Sequence, residues 1–452
     1  MKLDTKIKYA EIYNTSHTVL VVASYPDRTN RSIKEIDAVA SYTDHLCGAF
    51  AKELAARGKK LVVFAQKIYG KEEWYIERDI LVIRVWGKGS LFAYLHILTN
   101  LLFFTKVKTT LIQFEFHQFG GNTTTVAFPL FLFLLKTIGK TVSLVMHQVV
   151  MDITDLSGHV NIKKSSVLVP IFTFALRMFY KLTSRIADTV TVHSAILAQR
   201  LKEITGRNDI NVIPHGLEAL QGICSKSDAR KKLGIPKSDF VIMSFGFLTW
   251  YKGSDWIVDE FSKHKKAGVQ LIMAGGESPN LKDKPYYQKF VTTIKTKAAG
   301  KNNITITGFV DDEQIPLYFA AADLVALPYR TLMSASGPLA MTISFEKPFI
   351  MSNALMPYTE DTDFTYALAK TGVSLKDLCF PLHSDKFWQS IVWTKTNQKQ
   401  LTSLSTLLKT SRTWGVVSKR LCDYLEDAGF SYQKKSDILE SESYVSYAPS
   451  HS

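Results

Sequence analysis

A strand-then-helix pattern runs along the chain and then restarts, and this alternation limits the fold more than any other feature. In the first half, β-branched runs predict strands at residues 18–24, 60–66, 80–86, 110–116, 141–147 and 188–194. In the second half, the predicted strands are residues 240–247, 269–276, 303–310, 323–329 and 348–353. Near-continuous apolar strands separated by helices are typical of a parallel sheet that is covered on both faces. We therefore predict an α/β protein with two doubly wound parallel-sheet domains facing a cleft.

The length of the chain and a polar interruption place the domain boundary. A chain of 452 residues is too long for one ordinary core. A charged stretch follows INVIPHGLE (210–218), so we predict one domain over residues 1–217 and a second over residues 218–432. Residues 401–425 predict a pair of C-terminal helices, which we expect to pack back on the first domain. The polar residues 433–452 predict a disordered tail.

Composition narrows the partners and the location. The net charge of +14 favours phosphate-bearing ligands, anionic membranes or nucleic acid, and generic solubility explains it equally well. No signature of a nucleic-acid module accompanies the charge, so we expect no nucleic-acid partner. The four cysteines are scattered and form no CxxC pair, which is typical of reduced thiols in a cytosol. The N-terminal segment lacks a signal h-region. We therefore predict a cytoplasmic location.

Two apolar runs raise the question of a membrane. Residues 126–135 are too few to span a bilayer, which takes about 20 apolar residues, and Arg177 interrupts residues 167–180. We predict buried or interfacial helices instead. The second run and its flanks interleave aromatic residues with the basic residues Lys163, Lys164, Arg177, Lys181 and Arg185. This pattern fits a peripheral surface that meets anionic lipid on the cytoplasmic membrane face. It also fits an ordinary core helix with a solvated face, which we favour.

Two loops at predicted strand ends are suited to an anion. In FGFLTWYKGSDW, Gly246 permits a tight turn, Lys252 is predicted to be a mobile ammonium near the cleft, and Ser254 or Asp255 can cap the next helix. An unremarkable loop lysine is the competing explanation, at roughly equal weight. The position after a strand and the flanking Gly246 and Gly253 raise the ligand explanation to this equal weight.

The second loop begins a helix. Residues 334–337 (SASG) precede Pro338, and proline suits a first helical turn. The free N–H groups and the helix dipole then form an anion pocket. The competing explanation is a plain serine N-cap, worth about 1 kcal/mol to the helix. Two anion-suited loops in one domain point to a diphosphate better than either loop alone.

The order and spacing of these segments resemble the donor half of the retaining glycosyltransferases of family four. The segments are LGIPKSDFVIMSFGFLTWYKGSDW, LIMAGG, NITITGFVDDEQIPLYFAAADLVALPY and SASGPLAMTISFEKPFIMSN. The resemblance implies a GT-B type fold, in which the first Rossmann-like domain takes the acceptor and the second the nucleotide-sugar donor. It implies retaining transfer of a hexose from a nucleotide diphosphate sugar to a saccharide or lipid-linked acceptor. The nucleotide sugar is then a co-substrate, and no further cofactor is expected.

The resemblance also implies roles for particular residues. Lys252 corresponds to the lysine that meets the donor diphosphate, and His147 to a histidine near the sugar; these are the predicted catalytic residues. The predicted donor-binding residues are Phe247, Val310, Ala335, Ser336 and Gly337. Of these, Val310 corresponds to the residue whose backbone meets the base, and residues 335–337 to the loop that offers N–H groups to the diphosphate. No metal site is predicted, because no Asp-X-Asp motif stands at a strand end.

Other histidines and several departures from the family bear on this interpretation. A structural role explains His147 equally well, while His193 with Ser194 is predicted to cap a helix and His215 to shape the interdomain turn. Met333 and Met341 stand where members of the family usually have two glutamates. The glycine loop that the family has in its first half is also missing, because residues 26–37 (PDRTNRSIKEID) contain no glycine. A degenerate binding subunit and an isomerase or phosphorylase on the same fold therefore remain alternatives to a transferase.

Overall fold

The computed structural model describes residues 3–28, 38–90, 92–116, 118–152, 168–218, 224–279, 281–332 and 336–437. The strands of the first sheet are β1 (Thr18–Val22), β2 (Lys60–Gln66), β3 (Glu73–Glu77), β4 (Ile80–Trp86), β5 (Thr109–Phe114), β6 (Thr141–Met146), β7 (Thr189–Val192) and β8 (Ile210–Val212). Those of the second sheet are β9 (Phe240–Phe245), β10 (Val269–Ala274), β11 (Ile304–Ile306), β12 (Leu324–Leu327), β13 (Phe349–Ser352) and β14 (Cys379–Phe380).

Helices separate most of the strands. In the first domain they are α1 (Leu3–Tyr13), α2 (Ala38–Ala56), α3 (Ala93–Asn100), α4 (Asn122–Thr137), α5 (Val169–Ile186) and α6 (Ala195–Thr205). In the second domain and beyond they are α7 (Lys226–Leu233), α8 (Ser254–Lys263), α9 (Pro285–Ala298), α10 (Ile315–Ala321), α11 (Gly337–Ser344), α12 (Thr362–Thr371), α13 (Leu375–Leu378), α14 (Ser384–Thr396), α15 (Gln398–Ser411) and α16 (Trp414–Asp437). Two 3₁₀ helices cover Leu101–Phe104 and Asn353–Glu360.

Both sheets are Rossmann-like. The second has the order β11-β10-β9-β12-β13-β14, and the first has β3-β4-β2-β1-β5-β6-β7-β8. Except for β3, neighbouring strands in both sheets run parallel. The chain crosses between sheet halves at β1/β5 and at β9/β12. Ligands of open α/β sheets bind at the carboxyl ends of strands beside such switch points. The predicted fold class is confirmed.

The hydrophobic core explains why the strands form where they do. Strands β1 and β4 are buried at every position, because apolar layers cover both faces of the sheet. Separate clusters of buried side chains lie on the two faces of each sheet. Among the described residues, no helix has the length and hydropathy that crossing a membrane requires.

One strand departs from the predicted parallel arrangement. Strand β3 pairs antiparallel with β4, and the sequence analysis misses it. The two residues between these strands, Arg78 and Asp79, have φ angles of 50° and 63°. A hairpin turn of this kind usually carries Asn-Gly or Asp-Gly, and its absence hides the signal. β3 closes the edge of the sheet beyond β4.

The C-terminal helices cross from the second domain to the first. Helices α15 and α16 match the predicted pair, and α16 packs along α2. Arg57, directly after α2, forms ion pairs with Asp423 and Glu426 of α16. The helix continues to Asp437, into the segment predicted to be disordered, and residues 438–452 lie outside the described chain.

A buried carboxylate also joins the domains. Asp361 accepts a hydrogen bond of 2.7 Å from the N–H of Ala195 at the start of α6. Its other oxygen lies 3.2 Å from Arg412, whose carbonyl accepts from the N–H of Leu217. Asp363 pairs with the same guanidinium at 2.6 Å. The start of α6 and the segment after β8 are therefore fastened to the second domain by one charged network.

Replacing Asp361 with alanine tests this network. Asp361→Ala removes the acceptor of the Ala195 N–H and leaves the buried Arg412 with only Asp363. We expect a loss of about 2–4 kcal/mol in the free energy of unfolding, measured by urea denaturation. The neighbouring exposed residue gives the matched control, Glu360→Ala, which should change the midpoint little. Equal midpoints for both variants would contradict the role of Asp361.

Candidate functional site

Glycines follow three strands of the second sheet, and the loops that contain them pack against one another. A Cβ atom placed on Gly275 would lie 2.1 Å from the carbonyl oxygen of Gly246, and one on Gly276 would lie 2.6 Å from the backbone nitrogen of Phe309. Gly275 also forms an isolated bridge with Gly308. The loops at the carboxyl edge of β9, β10 and β11 can therefore pack this closely only because glycine carries no side chain.

Lys252 lies where the two predicted anion loops meet. Gly246 has a φ of 103°, and a Cβ placed on it would lie 2.9 Å from Lys252 Nζ and 3.1 Å from Pro338 Cγ. The ammonium therefore sits beside both the turn after β9 and the first turn of α11. Its Nζ lies 5.9 Å from the ring centre of Phe247 and 5.7 Å from that of Tyr251. The structure thus brings together Lys252, Phe247 and the start of α11.

Burial lowers the pKa of Lys252. The side chain is half-buried, and desolvation lowers the pKa of Lys252 to about 8. The competing explanation, an unremarkable loop lysine in solvent, does not fit this side chain, which lies near two aromatic rings. A desolvated cation gains more from a bound anion than an exposed one, because fewer water contacts screen the pair.

An ion pair ties the two loops to each other. Arg330, after β12, donates to Asp255 at 2.6 and 2.9 Å. Its guanidinium also donates to the carbonyl of Trp250, and its backbone N–H to that of Tyr251. A Cβ on Gly253 would lie 1.9 Å from the Pro328 carbonyl oxygen. The loop after β9 and the loop after β12 are therefore one packed unit.

This unit corrects the predicted cap of α8. The N-cap position is Gly253, and neither Ser254 nor Asp255 caps the helix with its side chain. The hydroxyl of Ser254 instead accepts from the N–H of Thr249 at 3.1 Å, and Asp255 pairs with Arg330. A contact within the loop after β9 and a contact with the loop after β12 thus engage these two side chains, and neither caps the helix.

At the start of α11, the side chain of Ser336 is engaged in hydrogen bonds, whereas Gly337 is exposed. Ser336 is the N-cap, and its Oγ accepts from the Leu339 N–H at 3.2 Å and lies 3.0 Å from the hydroxyl of Tyr329. Gly337 is exposed, and a Cβ on it would meet nothing within 4 Å. The Ser336 side chain therefore serves the helix, while open space lies beside the Gly337 backbone. Ala335 lies outside the described residues, as do Met333 and Ser334.

The other predicted donor residues line the same edge. Val310 is buried in the core of the second domain, so only its backbone can meet a ligand. Phe247 is half-buried, and its ring centre lies 6.4 Å from that of Phe309. These two phenylalanines follow β9 and β11. Met341 packs against the same core as Val310. Its thioether is uncharged, so it cannot replace a carboxylate at this edge.

His147 belongs to a cluster at the carboxyl edge of the first sheet. Its Nε2 lies 2.7 Å from Gln113 Oε1, and its Nδ1 lies 3.2 Å from His193 Nε2. The ring centre of Tyr42 is 4.7 Å away. These contacts come from the first domain, so they do not by themselves join His147 to Lys252.

The hydrogen bonds fix the tautomers in this cluster. His193 Nδ1 donates to the carbonyl of Ile213 at 3.0 Å, so its Nε2 accepts from Nδ1–H of His147. Burial, together with His193 and His215, holds the pKa of His147 well below its ordinary value, so its ring is neutral and Nε2 is an acceptor. The amide nitrogen of Gln113 must therefore face His147, which also gives that otherwise unpartnered nitrogen an acceptor.

This arrangement constrains what the histidines can do. Both ring nitrogens of His147 are engaged, so a substrate hydroxyl could bond to it only by displacing Gln113 or His193. Burial lowers the pKa of His193 to about 4. Ser194 occupies the N-cap of α6 but makes no side-chain cap, and Asp361 replaces it at the Ala195 N–H. The predicted His193–Ser194 cap is wrong.

His215 has the surroundings of an interdomain residue. Its Nδ1 donates to the Gly216 carbonyl at 2.8 Å, and its ring centre lies 5.5 Å from that of Trp414 at the start of α16. Burial lowers its pKa to about 4.

The buried arginine Arg84, which positions a loop of the first domain, was not predicted from the sequence. Arg84 of β4 is almost fully buried and donates to the carbonyls of Tyr25 and Pro26 and to the hydroxyl of Tyr75. It therefore anchors the loop that follows β1, beside the first switch point. An arginine within the apolar run ILVIRVW was the available signal, since a buried charge needs several hydrogen-bond partners.

Comparisons with known proteins bear on the second domain and on the fold of the whole chain. The family model described as Glycosyl transferases group 1 matches residues 239–371, which hold both loops of the site. This match covers less than a third of the chain. No curated protein matches the chain.

Solved structures resemble the whole chain. Sucrose-phosphate synthase from Thermosynechococcus elongatus is 15% identical with a TM-score of 0.62, over 93% of this chain and 100% of that one. A glycosyltransferase from Rickettsia africae is 15% identical with a TM-score of 0.61, over 92% and 99%. HepE from Anabaena, in complex with UDP and glucose, is 16% identical with a TM-score of 0.58, over 91% and 100%. The chain therefore has the GT-B fold.

Substituting Gly246 tests the contact with Lys252. In Gly246→Ala the new methyl group would displace the ammonium from the start of α11. A hydrogen bond to a charged group contributes roughly 1.5–3 kcal/mol, so nucleoside diphosphate affinity should fall about 10- to 100-fold, measured by calorimetry. Gly300→Ala is the matched control: its φ is 71°, but nothing lies within 4 Å of the added carbon. Equal affinities for the two variants would contradict the packing argument.

The lowered pKa of Lys252 predicts a pH dependence. Because its pKa is about 8 in the free protein, the ammonium is charged at pH 7 and largely neutral at pH 9. A bound diphosphate favours the charged form, so affinity should be highest below pH 8. Above it, affinity should fall by up to about tenfold per pH unit.

Calorimetry at pH 7, 8 and 9 checks this dependence. The Lys252→Arg variant is the control, since a guanidinium does not titrate in this range and its profile should be flat. A wild-type profile as flat as that of the variant would show that Lys252 does not meet the anion.

Proposed function

We propose that the protein is a retaining glycosyltransferase that moves a hexose from a nucleotide diphosphate sugar to a saccharide or lipid-linked acceptor. The observation that carries the proposal is the position of Lys252 between the turn after β9 and the start of α11. The match of residues 239–371 to a glycosyl transferase family supports the donor half. The GT-B fold supports the two-domain division, in which the acceptor binds the first domain. The UDP and UDP-glucose named for HepE support a nucleotide sugar as donor.

The site supplies positive potential where negative charge develops. When the bond between the anomeric carbon and the diphosphate oxygen breaks, the electron pair remains on the diphosphate. Lys252 and the N-terminal end of α11 stabilise that charge, because they are already oriented and partly desolvated. The acceptor hydroxyl oxygen then bonds to the anomeric carbon on the face that the diphosphate leaves, and the hydroxyl proton passes to the diphosphate. This step calls on neither a side-chain base nor a metal.

The remaining predicted residues take supporting roles in the proposal. The backbone of Val310 meets the base, while Phe247 and Phe309 pack beside it at the edge of the second sheet. The Gly337 N–H faces the diphosphate, and the same role is proposed for the backbone of Ala335, which lies outside the described residues. His147 packs against the sugar from the first domain as a neutral ring, since Gln113 and His193 hold both of its nitrogens. The protein works in the cytoplasm with the donor as its co-substrate and without a further cofactor.

A second candidate function has one observation in its favour. Met341 packs into the core where other members of the resembling family place a glutamate for the ribose. The site then lacks one carboxylate that would hold the donor, as expected of a binding subunit that has lost turnover. Such a subunit would bind nucleotide sugars but never release the nucleoside diphosphate.

Donor cleavage separates the two candidates. Thermal shifts with a panel of nucleotides and nucleotide sugars identify the base, because a ligand stabilises the fold by mass action. The best donor is then incubated with the protein and a mixture of saccharide acceptors, and nucleoside diphosphate release is measured. A transferase releases it in step with a new α-linked product from an α-linked donor. Binding without release from any donor would favour the binding subunit.

The Lys252→Ala variant is the mutational test. Removing the ammonium leaves the leaving diphosphate with the helix end alone, so kcat should fall about 10²- to 10³-fold. The melting temperature should change little, because a half-buried lysine is replaced by a smaller apolar group. Lys282→Ala, at an exposed position of the same domain, is the matched control and should keep full activity. Unchanged turnover in Lys252→Ala would remove the role assigned to this residue.

A further inference from the structure

Helix α5 exposes apolar side chains on the face opposite to the one that packs on the sheet. Leu176 and Tyr180 are buried against the core. On the other side, Ile171, Phe174 and Met178 are 62%, 67% and 36% exposed. They recur at spacings of three and four residues, so they share one stripe. The interpretation favoured from the sequence, a core helix with a solvated face, does not explain why that face is apolar.

Helix α4 extends this surface. It lies beside α5, with the ring centres of Phe128 and Phe179 6.2 Å apart. Its outward stripe is also apolar: Val126, Leu130 and Phe133 are 77%, 60% and 53% exposed. We call these three residues, together with Ile171, Phe174 and Met178, the α4–α5 surface. Single exposed apolar residues are ordinary, but a cluster on two packed helices indicates an interaction site.

Positive charge borders the surface without acidic residues. Arg177, Lys181 and Arg185 are exposed along one side of the α5 stripe. Within the described part of the chain none of them forms an ion pair, in contrast to Lys136, which pairs with Asp188. Neither helix contains Asp or Glu. The surface therefore combines an apolar stripe with three uncompensated cations.

From this combination we propose that the α4–α5 surface docks on an anionic lipid bilayer, with both helices lying in the plane of the interface. Apolar side chains then enter the boundary between headgroups and acyl chains, while the bordering cations meet anionic headgroups. A second copy of the chain fits less well. In a two-fold dimer the same surface faces itself, and no carboxylate on either helix could pair with the cations of the partner copy. This proposal is independent of the proposed function.

Vesicle co-sedimentation tests the proposal with the full chain. Vesicles of phosphatidylcholine with about one third phosphatidylglycerol should bind the protein at low salt, and pure phosphatidylcholine vesicles should bind it weakly. In a triple variant, Arg177, Lys181 and Arg185 are each replaced by Gln. Each cation near an anionic surface contributes about a factor of five to binding, so the variant should lose roughly a hundredfold in affinity. Raising the salt should weaken the wild type toward the variant.

A second pair of variants tests the apolar stripe. Phe174→Ser with Leu130→Ser should reduce binding at least tenfold without loss of folding, because both side chains are exposed and contribute little to the core. The matched controls lie on the second domain: Lys231→Gln, Lys232→Gln and Lys399→Gln for charge, and Val392→Ser with Tyr366→Ser for apolar exposure. The controls should bind as the wild type does.

Two results would overturn the proposal. One is an equal loss of vesicle binding in the control variants. That result would show that net charge or general apolar exposure, and not the α4–α5 surface, determines binding. The other is a wild-type protein that fails to bind anionic vesicles and sediments as a dimer, while the Phe174→Ser, Leu130→Ser variant sediments as a monomer. That outcome would assign the surface to self-association.

Discussion

The close packing of two loops at the switch point of the second sheet is the constraint on which the rest of the site depends. The Arg330–Asp255 ion pair joins the loop after β12 to the loop after β9. The absence of a side chain at Gly253 lets the two loops come into contact. That contact places Lys252 beside the first turn of α11. A lysine and a helix start are each common features of proteins. They form an anion site here only because the loops that carry them are held together.

The first domain contributes a hydrogen-bonded histidine pair and an anchored loop. His147 and His193 are neutral and link Gln113 to the carbonyl of Ile213, while Arg84 holds the loop after β1. The connection between the domains is in turn charged and buried, through Asp361 and Arg412. Among the described residues, the loops of the second sheet therefore supply the cation Lys252, whereas His147 and His193 at the edge of the first sheet supply neutral hydrogen-bonding groups.

Much of the fold could be predicted from the sequence because its strands are buried on both faces and therefore read as apolar runs. β2 and β4 were predicted with the bounds that the structure has. Other strands end a few residues earlier than predicted, since their last residues turn into loops at the carboxyl edge. β3 escaped prediction because its hairpin turn uses Arg78 and Asp79 in place of glycine.

The site could be predicted only in part, because local patterns do not encode long-range contacts. Lys252 and the start of α11 were found from their positions after strands. The Arg330–Asp255 pair joins residues 75 positions apart, and the Asp361–Ala195 bond spans 166, so neither leaves a local signal. The caps of α6 and α8 were predicted wrongly because the side chains and N–H groups there bond elsewhere: Asp361 accepts from the Ala195 N–H, and Asp255 pairs with Arg330. The exposed apolar face of α5 could not be told from a buried one, because helical periodicity does not say which face meets the core.

The most direct measurement is a crystal structure of the protein with a bound nucleoside diphosphate. The account predicts that the diphosphate lies between the turn after β9 and the start of α11, with its oxygens within about 3 Å of Lys252 Nζ and of the Gly337 nitrogen. A nucleotide bound elsewhere, or bound at the edge of the second sheet with its phosphates directed away from Lys252, would contradict it.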